Sequence, residues 1–184
     1  MNVVLKAIEE RFSCRGYTGE PVEREKLEAI AKAALQSPSA MNLQPWKILV
    51  ITCKALVDKL DNEAMAHMKS LPDQSLYNRF MERGGKVFYN APVLYLILKT
   101  QGGNWTDIDC GIMTQNIALA AHSLGLDNVI VAMASLSFKG ENAAELKELV
   151  KWPDGYEFAM GVLVGYGNNT KEPHEIDWEK VIFV

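Results

Sequence analysis

The chain has 184 residues, of which 48% are hydrophobic and 23% are charged, and it carries a formal net charge of −4. This length predicts a single domain over residues 1–184, and the ordinary composition argues against a disordered chain. The sequence has no basic block, which argues against electrostatic binding to nucleic acid. It also lacks the roughly 18 consecutive apolar residues that a membrane span needs.

Cysteine usage indicates the cellular compartment. Cys14, Cys53 and Cys110 are odd in number and far apart, and none belongs to a Cys-x-x-Cys pair. This pattern suits a reducing environment better than a disulfide framework, and the first residues lack the apolar run of a signal peptide. We therefore expect a cytoplasmic protein. The histidines are equally scattered, so the sequence indicates no metal site.

Helical periodicity and short apolar runs alternate along the chain. Helices are predicted over residues 2–11, 23–36, 54–70, part of 73–89, 108–124 and around 146–150. Strands are predicted over residues 47–52, 93–98, 129–133 and 157–166. The helix over 108–124 carries four small residues that allow another helix to approach closely: Gly111, Ala118, Ala120 and Ala121. The tail 178–184 ends in four β-forming residues that need a sheet edge, in this chain or in a partner.

The segment 62–90 is rich in soft and aromatic side chains, among them Met65, Met68, Tyr77, Phe80 and Met81. Such side chains usually form core, and we favour that interpretation. Because methionine is adaptable, the same residues also suit a cover over a planar ligand, which is the alternative.

Two guanidinium groups and a hydroxyl lie close together after the first predicted helix, at Arg11, Ser13 and Arg15. Arginine presents a planar fork of donors that matches phosphate or carboxylate oxygens, and serine adds one more donor. In an extended segment, alternation places these three side chains on the same side. The competing interpretation is a solvated basic helix end, where cations oppose the helix dipole.

The simple catalytic templates are missing from the sequence. The glycines at 161, 165 and 167 have the wrong spacing for a dinucleotide-binding loop and precede no predicted helix. The chain also lacks a Gly-x-Ser-x-Gly elbow and a glycine-rich phosphate loop ending in Gly-Lys. Asp107 and Asp109 are too isolated to indicate hydrolysis by paired carboxylates.

Four segments follow one another along the chain: residues 11–17 (Arg-Phe-Ser-Cys-Arg-Gly-Tyr), residues 37–46 (Ser-Pro-Ser-Ala-Met-Asn-Leu-Gln-Pro-Trp), residues 115–126 and residues 164–166 (Val-Gly-Tyr). In this order they resemble the Arg-x-Ser-x-Arg-x-Tyr/Phe motif, the second signature, the central helix, and the late strand and turn of the nitroreductase family of FMN flavoproteins. Each motif alone is weak, but together they span essentially the whole chain.

The resemblance implies an α+β fold in which a central, mostly antiparallel sheet is flanked by helices. It also implies an intertwined homodimer, with two FMN sites at the subunit interface and exchange of the C-terminal strand. The small-residue helix and the apolar tail agree with such a dimer, because both need a partner.

The resemblance further implies roles for the residues near the N-terminus. Arg11 and Ser13 are expected to hold the FMN phosphate and ribityl oxygens, and Arg15 to lie near the pyrimidine edge of the flavin. A cation at that edge stabilises the negative charge that two-electron reduction places near N1 and O2.

The second signature implies contacts across a subunit interface. Pro38, Ser39, Ala40 and Asn42 match the segment that approaches the flavin from the partner subunit. The short side chains at Ser39 and Ala40 let the backbone come close to the ring system, and Asn42 offers both a donor and an acceptor.

The chain departs from the family pattern at two places. Where the family often has a Lys/Arg pair after the last core strand, residues 171–174 read Lys-Glu-Pro-His, which supplies Lys171 but no evident second cation. Where the family often has a glycine close to flavin N5, residues 131–134 read Val-Ala-Met-Ala. A backbone N–H of Ala132 or Met133 is the candidate for that contact.

Together these features imply an FMN-dependent oxidoreductase that takes hydride from NAD(P)H and reduces a small acceptor such as a nitroaromatic, a quinone or free flavin. Both substrates are expected to use one pocket in turn, in a ping-pong mechanism, under a small cover built from parts of 62–90. The flavin carries the chemistry, so no catalytic side chain is expected, although Arg15 is placed to stabilise reduced flavin. The alternative is an FMN-binding storage or sensor protein without turnover.

Overall fold

The computed structural model describes residues 2–184. Its helices are α1 (Val3–Glu10), α2 (Arg24–Leu35), α3 (Lys54–Ser70), α4 (Ser75–Glu82), α5 (Thr106–Ser123) and α6 (Ala143–Leu149). Its strands are β1 (Trp46–Ile51), β2 (Val93–Thr100), β3 (Asp127–Ile130) and β4 (Tyr156–Gly165). Short 3-10 helices cover Ala40–Asn42, Ala132–Phe138 and Trp178–Lys180. Each predicted helix and strand has a counterpart within a few residues of its expected ends.

The four strands form one sheet in the order β1-β2-β4-β3, and every neighbouring pair is antiparallel. Helices cover both faces of this sheet, so the predicted α+β fold with a mostly antiparallel sheet is confirmed. The two central strands, β2 and β4, pair over eight positions, with one irregularity after Ile97.

Alternation along β2 divides the core into two layers. Leu94, Leu96 and Leu98 pack with the buried side chains of α3 and of the 3-10 helix Ala132–Phe138. Val93, Tyr95 and Ile97 pack instead with α2 and α5. The hydroxyl of Tyr95 donates a hydrogen bond of 2.8 Å to the carbonyl of Leu27, which anchors α2 on the second face.

The third strand ends earlier than predicted. Val131 still donates to the carbonyl of Gly161 at 2.8 Å, but Ala132 and Met133 begin the 3-10 helix instead of continuing the strand to residue 133. The turn packs tightly on β4, because a Cβ at Gly161 would lie 2.9 Å from the Cβ of Ala134. Since the turn is as buried as a strand, an apolar run alone could not distinguish the two.

The methionine-rich segment belongs mainly to the core. Met65, Met68 and Phe80 are buried, as the favoured interpretation of 62–90 requires, so these three side chains cannot cover a ligand. The carboxylate of Asp61 fixes the chain beyond α4 by accepting the backbone N–H groups of Val87 and Phe88 at 2.8 and 3.0 Å. Burial raises the pKa of this carboxyl group.

Two apolar elements lack cover within the described residues 2–184. Helix α1 has no buried residue, and Val3 and Ile8 are 79% and 49% exposed. At the other end of the chain, Ile182 and Phe183 are 82% and 88% exposed and belong to no strand.

Among residues 2–184, every helix is too short or too polar to cross a membrane.

Candidate functional site: a cationic cavity beside β3

Residues 11–17, here called the arginine segment, lie between β3 and the chain that follows β4. On one side, Ser13 pairs with Asn128 in a parallel bridge, and the N–H of Cys14 donates to the carbonyl of Asn128 at 2.9 Å. On the other side, Tyr17 pairs with Gly167 in an antiparallel bridge. Backbone hydrogen bonds on both sides therefore hold the segment extended.

The side chains of the arginine segment fall into two sets. Cys14 and Tyr17 are buried, at 0% and 3% exposure, whereas Arg11, Phe12, Ser13 and Arg15 line one cavity of about 210 Å³. Lys171, which lies far away in sequence, lines the same cavity. Three cations and a hydroxyl from two distant segments thus line one cavity, which argues against the alternative interpretation of these residues as a solvated basic helix end.

Close packing behind the cavity depends on two glycines. A Cβ at Gly167 would overlap the carboxylate of Asp127 and lie 2.9 Å from Cys14 Sγ, and a Cβ at Gly16 would overlap the side-chain amide of Asn168. Burial raises the pKa of Asp127, while a hydrogen bond from the backbone of Gly167 acts in the opposite direction. Glycine at both positions lets these segments approach without displacing a neighbouring side chain, and at Gly167 these neighbours include the buried Cys14.

Replacing Gly167 with alanine is expected to lower the free energy of unfolding by about 1–3 kcal/mol, because the added methyl group has no space. Urea denaturation measures this loss. Gly140→Ala is the matched control, since its Cβ would meet only Glu63 Oε2, at 3.9 Å. Equal stability of the two variants would contradict the packing described here.

A second feature, the Ser-Pro loop of residues 37–44, is built on helix α5. Asn116 Nδ2 donates to Ser37 Oγ at 2.8 Å, and the backbone N–H of Ala40 donates to the carboxylate of Asp109 at 3.0 Å. Within the loop, the N–H of Gln44 donates to Ser39 Oγ at 2.9 Å. The bonds to Asp109 and Asn116 attach the loop to the first and third turns of α5.

The Ser-Pro loop adopts an unusual backbone conformation. Met41, Asn42 and Gln44 have positive φ angles of 53°, 55° and 47°, a region that residues other than glycine seldom occupy. Such conformations persist only where surrounding bonds impose them, and they cluster at functional sites. The loop projects outward, since Met41 is 91% exposed.

The structure thus gathers only part of the predicted site within one protomer. Arg11, Ser13, Arg15 and Lys171 line the cavity. The other predicted residues lie outside its lining: Pro38, Ser39, Ala40 and Asn42 on the Ser-Pro loop, and Ala132 and Met133 just after β3.

Sequence reasoning missed several residues of this region. His174 and two carboxylates, Glu9 and Glu172, also line the cavity, and their only signal was proximity to residues already singled out. Asp109 is too isolated in the sequence to indicate a carboxylate pair, but in the fold it accepts a hydrogen bond from the Ser-Pro loop. Asn116 belongs to the central-helix motif of residues 115–126, and only the fold brings it to Ser37.

The fold and the cavity together define an α+β protein with a cavity at one edge of its sheet that is lined by three cationic side chains and a hydroxyl. A model described as the nitroreductase family matches residues 8–166. A protein of Archaeoglobus fulgidus named as an NADH dehydrogenase/NAD(P)H nitroreductase is 31% identical over 177 residues, which cover 96% of this chain and 92% of that protein. The chain belongs to the nitroreductase family.

Two further proteins show how closely the chain resembles this family. The crystal structure of a nitroreductase with bound FMN from Desulfitobacterium hafniense is 43% identical and has a TM-score of 0.94, covering 100% of this chain and 99% of that chain. The FMN reductase (NAD(P)H) of Bacillus subtilis is 27% identical over 182 residues, which cover 94% of this chain and 70% of that protein.

Proposed function

We propose that the chain is an FMN-dependent oxidoreductase that takes hydride from NAD(P)H and reduces a small acceptor, such as a nitroaromatic, a quinone or free flavin, in a ping-pong mechanism. The observation that carries this proposal is the convergence of Arg11, Ser13, Arg15 and Lys171 on one cavity. The FMN bound to the similar nitroreductase of Desulfitobacterium hafniense and the NAD(P)H-dependent names of other relatives support it.

The cavity has the chemistry that a phosphate monoester needs. Two guanidinium forks and an ammonium group face it, and the Ser13 hydroxyl adds a neutral donor. Ser13 and its neighbour Cys14 belong to backbone that pairs with Asn128, which fixes the place of the arginine segment beside the cavity. Arg11, Ser13 and Lys171 are therefore assigned to the phosphate end of FMN.

Three other residues, Arg15, Ala132 and Met133, are assigned to the flavin ring of FMN. Arg15 Nη1 donates to the carbonyl of Ser13 at 3.3 Å, which keeps this guanidinium next to the cavity. A fixed cation there stabilises negative charge on the pyrimidine edge of the flavin. Strand β3 runs from Asn128, beside Ser13, toward Ala132 and Met133, whose backbone N–H groups are assigned to the ring.

Bound FMN supplies the capacity to accept a hydride and to release two electrons to an acceptor. The protein needs no nucleophile or general acid of its own for this chemistry. Its residues bind the phosphate, orient the ring and fix a cation beside it.

A homodimer completes the proposed site. The Ser-Pro loop is exposed and rigidly held, and it does not line the cavity of its own protomer. We therefore assign Pro38, Ser39, Ala40 and Asn42 to the FMN of the partner subunit. The exposed apolar face of α1 supports a second chain, because contiguous apolar patches mark interaction surfaces.

The tail provides a second contribution to the proposed dimer. Strand β1 is an edge of the sheet, and a groove of about 380 Å³ lined by residues 48–53, Leu56 and residues 149–151 runs along it. The opposite edge, β3, is already paired at Asn128 with the arginine segment. A β-forming segment from a partner, such as residues 181–184, fits the open edge.

Two general assignments accompany this function. We propose one domain over residues 1–184 and a cytoplasmic location. Three free cysteines, at positions 14, 53 and 110, are compatible with a reducing compartment.

The test is the flavin content of the purified protein. We expect yellow protein that releases about one FMN per chain on denaturation, because three cationic side chains and a hydroxyl line the proposed phosphate site. Absorbance of the released flavin, compared with protein concentration, measures this ratio. A colourless protein that also fails to bind added FMN would overturn the proposal.

A further inference from the structure

Asp109 is a buried carboxylate to which the proposed chemistry gives no part. It lies in the first turn of α5, and its exposed fraction is 4%. A buried carboxylate is stable only where hydrogen-bond donors or a favourable field compensate for lost hydration. The positive end of the α5 dipole supplies the field, and the backbone N–H of Ala40 donates to the carboxylate at 3.0 Å. Asp109 is therefore built into the contact between α5 and the Ser-Pro loop.

The N–H group that Asp109 accepts belongs to the first residue of the 3-10 turn Ala40–Asn42. Inside this turn, the N–H of Leu43 donates to the carbonyl of Ala40 at 3.1 Å. The first N–H groups of a helical turn have no partner within the turn itself. The carboxylate of Asp109 thus satisfies the donor for which the turn provides no acceptor.

The bond to Asp109 comes immediately before the strained part of the Ser-Pro loop. The two residues that follow it, Met41 and Asn42, have the positive φ angles of 53° and 55°. Such angles persist only where surrounding contacts impose them. Asn116 holds the start of the loop at Ser37, whereas Asp109 holds the residue next to the strained turn. Loss of the Asp109 bond should therefore release this conformation while the loop stays attached at its start.

We infer that Asp109 is a positioning residue, whose carboxylate holds the Ser-Pro loop in the conformation that binds FMN in the partner subunit. This inference rests on the proposed function, in which the loop contacts the FMN of the partner subunit. Asp109 acts through the loop and does not touch the flavin. The FMN affinity of one subunit therefore depends on a buried carboxylate of the other.

Hydrogen exchange and FMN titration of single variants test this role. In FMN-free Asp109→Ala, the backbone amides of residues 38–44 should exchange faster, as measured by mass spectrometry of the peptide that covers the loop. The dissociation constant of FMN should rise about tenfold, the effect of one hydrogen bond to a charged group. Asp109→Asn keeps an acceptor oxygen and should return both quantities toward their native values.

Asp107→Ala is the matched control for these measurements. Asp107 belongs to the same helix turn, but its side chain is 79% exposed and its carboxylate accepts from Lys99 Nζ at 2.6 Å. Loop exchange and FMN affinity should therefore be native in this variant. Equal changes in Asp107→Ala and Asp109→Ala would mean that loss of any carboxylate from this turn suffices, which would overturn the inference.

A mixed dimer tests whether Asp109 acts across the subunit interface. One subunit carries Asp109→Ala, the other carries Arg11→Ala, and two different affinity tags isolate the mixed species. If the loop acts on the partner subunit, one site combines both lesions and the other combines two native parts. One of the two sites should then bind FMN with native affinity, whereas neither parent homodimer should have such a site.

The outcomes distinguish this inference from the function beneath it. Native FMN affinity or native loop exchange in Asp109→Ala would overturn the role of Asp109 and leave the FMN site intact. Weak binding at both sites of the mixed dimer would also overturn it, because the carboxylate would then act within its own subunit. Failure of the native chain to bind FMN would overturn the proposed function, and the inference with it.

Discussion

Replacement of Arg11 by alanine is expected to weaken FMN binding by about 10- to 100-fold. Arg11 is half-buried at the end of α1, where its backbone N–H donates to the carbonyl of Ala7 at 3.1 Å, and its side chain lines the cavity. A hydrogen bond to a charged partner contributes about 1.5–3 kcal/mol, which corresponds to this loss of affinity. Fluorescence titration with FMN at low ionic strength measures it.

Three comparisons sharpen the Arg11 prediction. Arg79→Ala removes an exposed arginine of α4 that lies outside the cavity, so it should leave FMN affinity unchanged. Arg11→Lys keeps the charge without the planar fork and should lose less affinity than alanine. Added salt should narrow the difference between Arg11→Ala and the native chain, because it screens the ion pair. Native affinity in Arg11→Ala would contradict the assigned role.

Removal of residues 178–184 is expected to abolish the dimer and, with it, stable retention of FMN. Ile182 and Phe183 present apolar surface that has no cover within one protomer. Burying such side chains stabilises an interface by about 1.5–3 kcal/mol each, and the proposed contact with β1 adds main-chain hydrogen bonds. Because we propose that the Ser-Pro loop contributes to the FMN site of the partner subunit, monomers should also lose FMN. Sedimentation velocity and flavin content measure both effects.

A point variant tests the role of the tail in the dimer without the risk that truncation disrupts folding. Phe183→Asp places one charge on the proposed contact without shortening the chain, and far-UV circular dichroism can verify that it folds. Leu71→Asp, at an exposed position after α3, is the matched control and should remain dimeric. A Phe183→Asp variant that sediments as an intact dimer would refute strand exchange.

Local signals in the sequence predicted most of the secondary structure. Helix α5 ends where Gly125 allows a positive φ of 76°, and Leu126 donates back to the carbonyl of Ala121 at 3.0 Å. Spacing in the sequence predicted that Arg11, Ser13 and Arg15 lie together, but strict alternation does not hold, since Phe12 lines the same cavity and Tyr17 is buried.

Features that depend on contacts between distant segments were not predictable from local patterns. The strand predicted to residue 133 gives way to a 3-10 turn because Gly161, on another strand, lets the chain approach. The path that carries His174 to the arginine segment follows β4, and no local pattern encodes it. The conformation of the Ser-Pro loop likewise depends on Asp109, which lies on α5.

The most direct measurement is anaerobic mixing of the FMN-loaded protein with NADH or NADPH, followed by addition of a quinone or a nitroaromatic compound. An oxidoreductase of the proposed kind should lose its flavin absorbance with about one equivalent of at least one nicotinamide and recover it when the acceptor is added. An FMN-loaded protein whose absorbance persists with both nicotinamides would contradict the account and favour a flavin-binding protein without turnover.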